Sequence, residues 1–381
     1  MTFLLFSVGR LNCYQVYACE PFSDMVELVV EIKNGKEYNM KQKAKKGIRK
    51  YLSLLFVAAI LLTAQGIPAQ ANDTAWQQKK AGELPANPVH HCMKQEDGTD
   101  DTDWSYVYFG SYPQTEVVGD ALTSAITGAS YDLGGDAWVD GTKYRRIRKS
   151  DTNYHGYFGD KDYRYFKWEP IKWWVLKNDG STLFVVADRG LDCKDYNEEF
   201  VPITWEDCTL RDWLNTSFYH TAFDSGERKA VVGRTMANEN NPEYGTEGGN
   251  NTNDKVCLLS IEEAANPSYG FCGDYNMNSV SRLLKASDYA HAMGANIGSD
   301  EHMGSCWWLR SPGSIADSAA AVLNCGYVNG TGSSVHIISN AVVPALHIDL
   351  SSDLWFLAED GSSGEGADAQ GNAVIENDLA D

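Results

Sequence analysis

The stretch from Trp307 to Leu350, WWLRSPGSIADSAAAVLNCGYVNGTGSSVHIISNAVVPALHIDL, constrains this chain more than any other. It has two firm ends and a permissive middle. At the front, Trp307, Trp308, Leu309 and Arg310 lead through Ser311 into a Pro312-Gly313 turn. At the back, Val342 to Leu350 alternates apolar and polar residues, as a half-buried strand does. Gly326, Gly330 and Gly332 punctuate the middle, and Ala319, Ala320, Val322, Val328 and Val335 are small apolar anchors within it. The other positions share no chemistry: Ser314, Ile315, Asp317, Ser318, Ala321, Leu323, Asn324, Cys325, Tyr327, Asn329, Thr331, Ser333, Ser334, His336, Ile337, Ile338, Ser339 and Asn340. Aliphatic residues mixed with Asn, Ser and His in a Gly-punctuated segment suit a displayed surface better than a core. These positions are therefore the expected ligand-binding residues.

The segment resembles the carboxy-terminal part of a bacterial family of C-type-lectin-fold domains, marked by a WWLRSPG run and a closing GVRPAL run. Some of those domains are the variable target proteins of diversity-generating retroelements. The match runs over Trp307 to Gly313, Ala319-Ala320, Val322, Gly326, Val328, Gly332, Val335, Val342 and Pro344-Ala345-Leu346. The resemblance implies a C-type-lectin-like fold with Trp307, Trp308, Arg310, Pro312, Gly313, Gly326, Gly332 and Pro344 as scaffold and a variable face within 314–340. Ala341 and Val343 depart from it, standing where the family usually has Gly and Arg. A left-handed turn or an arginine contact at those positions is thereby put in question.

Residue usage bears on the variable-face expectation. Adenine-directed mutagenesis of an Asn codon that keeps its final pyrimidine reaches every residue type except Lys, Glu, Gln, Met and Trp. Those five types make up 69 of 381 residues, so about six would be expected among the 33 from Ser311 to Val343, and none occurs. A tight Gly-rich loop that disfavours long side chains is the plainer reading. It accounts less well for a segment that keeps Ile, Leu, Tyr and His.

Upstream, the basic run Lys41 to Lys50, the apolar segment Leu52 to Leu62 and Ala69-Gln70-Ala71 read as a secretory signal peptide over residues 40–71. The apolar segment is too short to span a bilayer. Export to the cell surface or beyond is the expectation; residues 1–39 carry no coherent pattern. The net charge of −20 falls to about −24 without residues 1–71. So acidic a chain argues against nucleic acid and anionic membrane as partners. A protein or glycan on another cell, a phage or a host surface remains, with the chain read as a monomer.

Seven cysteines lie beyond residue 71: Cys92, Cys193, Cys208, Cys257, Cys272, Cys306 and Cys325. The odd count leaves at least one unpaired. The Cys193–Cys208 spacing permits a disulfide in an exported protein, whereas Cys257 sits in an apolar run and reads as a buried hydrophobe. No spacing suits a metal or redox site, so neither metal nor cofactor is expected. The acidic cluster Glu96 to Asp103 lacks the ligand spacing of a calcium loop. It reads as part of a solvated linker over 72–103.

A domain is expected over 104–357, followed by a disordered acidic, Gly/Ser-rich tail over 358–381. Pro170 to Leu176 and Leu183 to Ala187 flank Asn178-Asp179-Gly180-Ser181 as a hairpin. Thr209 with Asp212, and Ser260 with Glu263, mark helix starts. Asp254 to Ser260 reads as a short buried strand. Hairpins and short helices without a βαβ repeat indicate an α+β domain. Trp307 and Trp308 alternate faces if extended, which would put one in the core and one at the border of the site.

Catalysis is the competing class. His155, His220, His291, His302, His336 and His347 are scattered and form no nucleophile or metal motif. Lectin-like folds also host formylglycine-generating oxidases, which use paired cysteines, and Cys306 with Cys325 is the pair to weigh. Cys325 falls in the miscellaneous middle, so the chain reads as a binding protein without catalytic residues. A fixed-specificity adhesin or carbohydrate-binding module is the alternative.

Overall fold

The structure, a computed structural model, describes residues 84–91 and 101–357, apart from 153, 299–303 and 338, together with four strands within the first 43 residues. Those strands, Leu4–Val8, Leu11–Tyr17, Met25–Ile32 and Lys36–Lys43, form an antiparallel sheet in chain order that belongs to a separate unit. The last of them covers the first residues assigned above to the signal peptide. Residues 44–71, the tail 358–381 and His302 lie outside the described residues.

The second unit is α+β and built on two sheets. Its hairpin pairs β4 (Tyr163–Asn178) with β5 (Thr182–Ala187). The turn closes because Gly180 takes φ +86 and the Asp179 carboxylate accepts the N–H groups of Ser181 and Thr182 at 2.9 and 2.7 Å. Around it lie β1 (Tyr106–Glu116), β2 (Asp136–Val139), β3 (Thr142–Arg148), β7 (Val231–Val232), β10 (Val256–Cys257), β15 (Ala345–Asp349) and β16 (Phe356–Leu357), while β8 (Arg234–Met236) and β9 (Thr252–Asp254) pair with each other apart from this sheet. The main order is β7-β15-β5-β4-β1-β16, so the first and last strands are neighbours. Every residue of β5 is buried, which its apolar run requires. Trp173 is fully buried and donates its indole N–H to the Phe109 carbonyl at 2.8 Å, so its polar atom is satisfied inside the core.

The smaller sheet runs β6-β14-β11-β12-β13, where β6 is Asp192–Cys193, β11 Trp307–Pro312, β12 Ser318–Val322, β13 Val328–Ser334 and β14 Ala341–Val342. The central strand β11 is buried throughout. This corrects the expectation that one tryptophan of the pair borders the site: Trp307 is 1% exposed and Trp308 0%. Each finds a carbonyl for its N–H, Trp307 at Arg282 (3.2 Å) and Trp308 at Lys194 (2.9 Å). A strand covered on both faces leaves no solvent side for either ring.

The closing stretch is not one strand either. Val342 belongs to the smaller sheet and Ala345 to the larger, with Pro344 at the switch. Proline has no N–H for a ladder, so pairing changes partner there. Ala341 is extended in β14 and Val343 is fully buried, so neither makes a left-handed turn or a charged contact.

The helices are short. α1 (Thr209–Trp213) is capped by Cys208 rather than Thr209, whose hydroxyl instead accepts the N–H of Glu198 at 3.0 Å. It continues through a π turn, Leu214–Phe218, into Tyr219–Ala222. α2 (Ile261–Ala264) has the expected capping box between Ser260 and Glu263. α3 (Asp288–Met293) is capped by Ser287.

The stretch read as a solvated linker also contributes structure. Val89–His91 pairs with Asp101–Asp103, Thr102 is buried, and Asn178 donates to Asn87 and Pro85 at 2.6 and 2.8 Å. Tertiary pairing, invisible in an acidic polar sequence, ties residues 84–91 to the hairpin tip.

Candidate ligand-binding face

Two buried arginines hold the segment 307–340 in place. Arg310, in the middle of β11, donates to the Leu258 carbonyl (2.8 Å) and pairs with Glu263, joining the central strand to α2. Arg282 is fully buried and donates to the carbonyls of Gly326 (2.7 Å), Cys272 (2.7 Å), Asp274 (3.0 Å) and Met277 (2.7 Å). It fixes the β12–β13 turn against the loop before it.

The scaffold glycines have geometric reasons. Gly326 takes φ +75, and a Cβ there would lie 1.9 Å from the Ser279 carbonyl oxygen. Gly332 takes φ +84, and a Cβ would meet the Ala319 oxygen at 2.6 Å. At Gly313 a Cβ would strike the Ser318 hydroxyl at 2.2 Å, so Gly313 and Ser318 close the β11–β12 loop together. The resemblance implies a scaffold role for these glycines, and backbone conformation or close approach requires glycine at each.

Of the eighteen expected binding positions, three are corrected. Ser318 is buried because its hydroxyl donates to the Ile315 carbonyl at 2.9 Å. Ala321 is fully buried because it pairs with Trp308 on one side and Asn329 on the other, inside the sheet. Asn340 is buried just ahead of β14. Ile338 lies outside the described residues. The remaining fourteen are partly or fully exposed.

The exposed positions fall at two ends of the β12–β13 hairpin. At one end, Leu323, Asn324, Cys325 and Tyr327 form the turn, closed by Leu323 N–H to Tyr327 O at 2.8 Å. At the other, Ser314, Ile315 and Asp317 lie beside Ser333, Ser334, His336 and Ile337, with Val335 N–H donating to Asp317 O at 3.1 Å. Ser339 follows them, and Asn329 and Thr331 lie on the connecting strand β13, which has no neighbour on its outer side among the described residues.

Two loops outside the segment extend this second end. Asn197 N–H donates to Val335 O (2.8 Å) and Ile203 N–H to Ala316 O (2.9 Å). This brings Phe200, 58% exposed, to 4.7 Å between ring centroids from His336, with exposed Val201 beside it. On the other flank, the Asn241 side chain donates to the carbonyls of Pro312 (2.8 Å) and Gly330 (2.9 Å). That places the Tyr244 hydroxyl 3.0 Å from Thr331 Oγ1. Sequence reasoning missed Phe200, Val201 and Tyr244. The available signal was Glu198-Glu199-Phe200-Val201-Pro202, two apolar residues set between charges and a proline, which suits an exposed loop.

The polar fringe includes Asp195, whose carboxyl is pushed up by burial and partly held down by His336. His336 Nδ1 lies 2.9 Å from the Ser334 hydroxyl. The face therefore presents exposed apolar side chains, Ile315 at 60% and Ile337 at 40%, among hydroxyls, amides and an imidazole. Such a mixture buries apolar area on contact and fixes orientation by hydrogen bonds.

The six described cysteines beyond residue 92 are all free, Cys193 and Cys208 included. Burial raises the Cys306 thiol, and the nearby Cys325 raises it further. Burial pushes Cys208 up to about 12. Raised thiols are protonated and poorly nucleophilic, the reverse of an activated cysteine. No group of three metal-ligating side chains occurs among the described residues.

Residues 172–350 are similar to a family described as Domain of unknown function (DUF6273). No curated protein matches the chain, and no solved structure matches it. The matched range opens in the middle of β4 and closes just after β15, so it takes in both ends of the hairpin face and the two flanking loops.

Proposed function

We propose that this chain is an exported, non-enzymatic ligand-binding protein of C-type-lectin-like fold whose face over 314–340 is diversified by a retroelement to change what it binds. The observation that carries the reading is the absence of Lys, Glu, Gln, Met and Trp from Ser311 to Val343, in a segment whose exposed positions are chemically unlike one another. The α+β architecture of antiparallel sheets and short helices supports the lectin-like resemblance at the level of fold class. Physically, the division of labour suits such a role. Trp307, Trp308, Arg310 and the glycines fix the backbone, and exposed side chains on a fixed backbone exchange at little cost in stability.

The ligand would be a protein or glycan on another cell, a phage or a host surface. Burying Ile315, Ile337, Phe200 and Val201 supplies apolar area, and the hydroxyls around them supply orientation. Sequencing this locus across a population tests the reading. Replacements should concentrate at the fourteen exposed or half-buried positions, in codons with adenine in the cognate template, and spare the scaffold glycines and tryptophans. Replacements spread evenly along 104–357 would overturn it and leave a fixed-specificity adhesin or carbohydrate-binding module.

A further inference from the structure

A cavity of about 430 Å³, half open to solvent, lies away from the β12–β13 turn, between the larger sheet and α2. Its floor is set by register: Lys177, Phe184 and His347 are successive cross-strand partners on β4, β5 and β15. Phe184 and His347 stack at 4.5 Å with a 15° tilt, and Tyr269 closes on Phe184 edge-on at 5.5 Å. Neither nitrogen of His347 has a hydrogen bond among the described residues. Burial, then the Arg234 charge, holds the ring's pKa down to about 4, so it is neutral at pH 7.

The walls carry opposite signs. On the hairpin side stand Lys177 and Arg234, whose two positive charges outnumber the single Asp179 carboxylate beside them. The Arg234 Nη2 donates to Thr182 Oγ1 at 3.0 Å, its Asp179 partner is 3.7 Å away, and its buried Nε has no partner. On the opposite side stand Glu239 and Glu262, beside the buried Arg310–Glu263 pair. Lys177, Glu239 and Glu262 are exposed, and their charged groups pair with nothing among the described residues. A half-open cavity with net positive charge on one side and net negative charge on the other carries a field across it. A monovalent ion satisfies one wall and leaves the other unpaired. A small dipolar molecule with a carboxylate and an ammonium satisfies both, while the neutral imidazole can donate or accept between them.

We infer that this cavity is a binding site for a small zwitterion of the free amino-acid class, its carboxylate towards Arg234 and Lys177 and its ammonium towards Glu239 and Glu262. The volume falls within the range of small-molecule pockets, roughly 300–1,000 Å³. This site is independent of the face over 314–340 and would operate whether or not that face varies.

The test is calorimetric titration of the full chain with each of the common L-amino acids, then with the N-acetyl and amide forms of any that binds. The expected result is binding by at least one free amino acid, weakened about tenfold or more when either charge is removed. Arg234→Gln and Glu262→Gln should each weaken it similarly, and His336→Ala on the other face should leave it unchanged. Both charge variants alter partly exposed side chains, and thermal melts check that they fold. No binding at ~10 mM, the weak end of specific recognition, overturns the inference. Equal affinity for the N-acetyl and amide forms, or binding indifferent to Arg234→Gln and Glu262→Gln, does the same.

Discussion

Replacing Arg282 with methionine tests whether the β12–β13 turn is held from inside. Methionine roughly matches the length of the side chain but donates no hydrogen bond. The guanidinium makes four hydrogen bonds of 3.0 Å or less, to Gly326, Cys272, Asp274 and Met277. A buried acceptor left unpaired costs about 1–3 kcal/mol. Taking the low end for four carbonyls, because neighbouring water recovers part, the variant should lose roughly 4 kcal/mol, a large share of the ~5–15 kcal/mol of a typical domain. Arg282→Lys should recover little, because one ammonium cannot span carbonyls arranged for a planar fork. Urea unfolding followed by tryptophan fluorescence measures the loss. Amide exchange should accelerate first at 323–328 and 264–283, the segments the arginine joins. A loss below about 1 kcal/mol, or exchange that accelerates elsewhere first, would refute the idea that this side chain positions the turn.

Further outcomes follow from the same structure. Trp308→Ala should cost about 3–5 kcal/mol, because a fully buried indole leaves a cavity and an unpaired Lys194 carbonyl, whereas Ile315→Ala and Ile337→Ala should stay within about 0.5 kcal/mol in the same melts. Gly326→Ala should cost about 2 kcal/mol or more from its left-handed backbone and the Ser279 oxygen. Gly330→Ala, facing only the end of the Glu243 side chain at 3.3 Å, should cost less than about 1 kcal/mol; equal losses would contradict the distinction. The sign for His347 follows from its lowered pKa: the unfolded state binds a proton below pH 6.5 and the folded state only below about 4. Stability should therefore fall between those values by up to about 1.4 kcal/mol per pH unit and be unaffected above pH 6.5. His347→Gln should flatten that part of the pH profile, and an unchanged profile would show that the ring is not held neutral.

Much of this molecule is legible in its sequence because the signals are local. The hairpin turn at Asp179-Gly180 and the Ser260–Glu263 capping box are each set by residues within a few positions of one another, whereas Gly326 and Gly332 answer to the distant Ser279 and Ala319 oxygens. The mixed chemistry of 314–340 likewise marked the segment as displayed; four of its expected positions are exposed and ten are half-buried. Local pattern fails where burial depends on what packs from afar. Nothing near Ala321 or Ser318 says that one lies between two paired strands and the other seals a loop over Gly313. Alternation across Trp307 and Trp308 suggested two environments, yet sheet and helices cover both faces of β11.

By itself, then, the sequence determined the hairpin turn, the Ser260–Glu263 cap and the α+β class, because each follows from residue propensities at short range. Only the tertiary structure decided the split of the closing strand at Pro344, the addition of Phe200, Val201 and Tyr244 to the face, and the cavity between Arg234 and Glu262. Those features join residues tens of positions apart, and the free energy that joins them comes from packing and pairing across sheets, which no local pattern encodes.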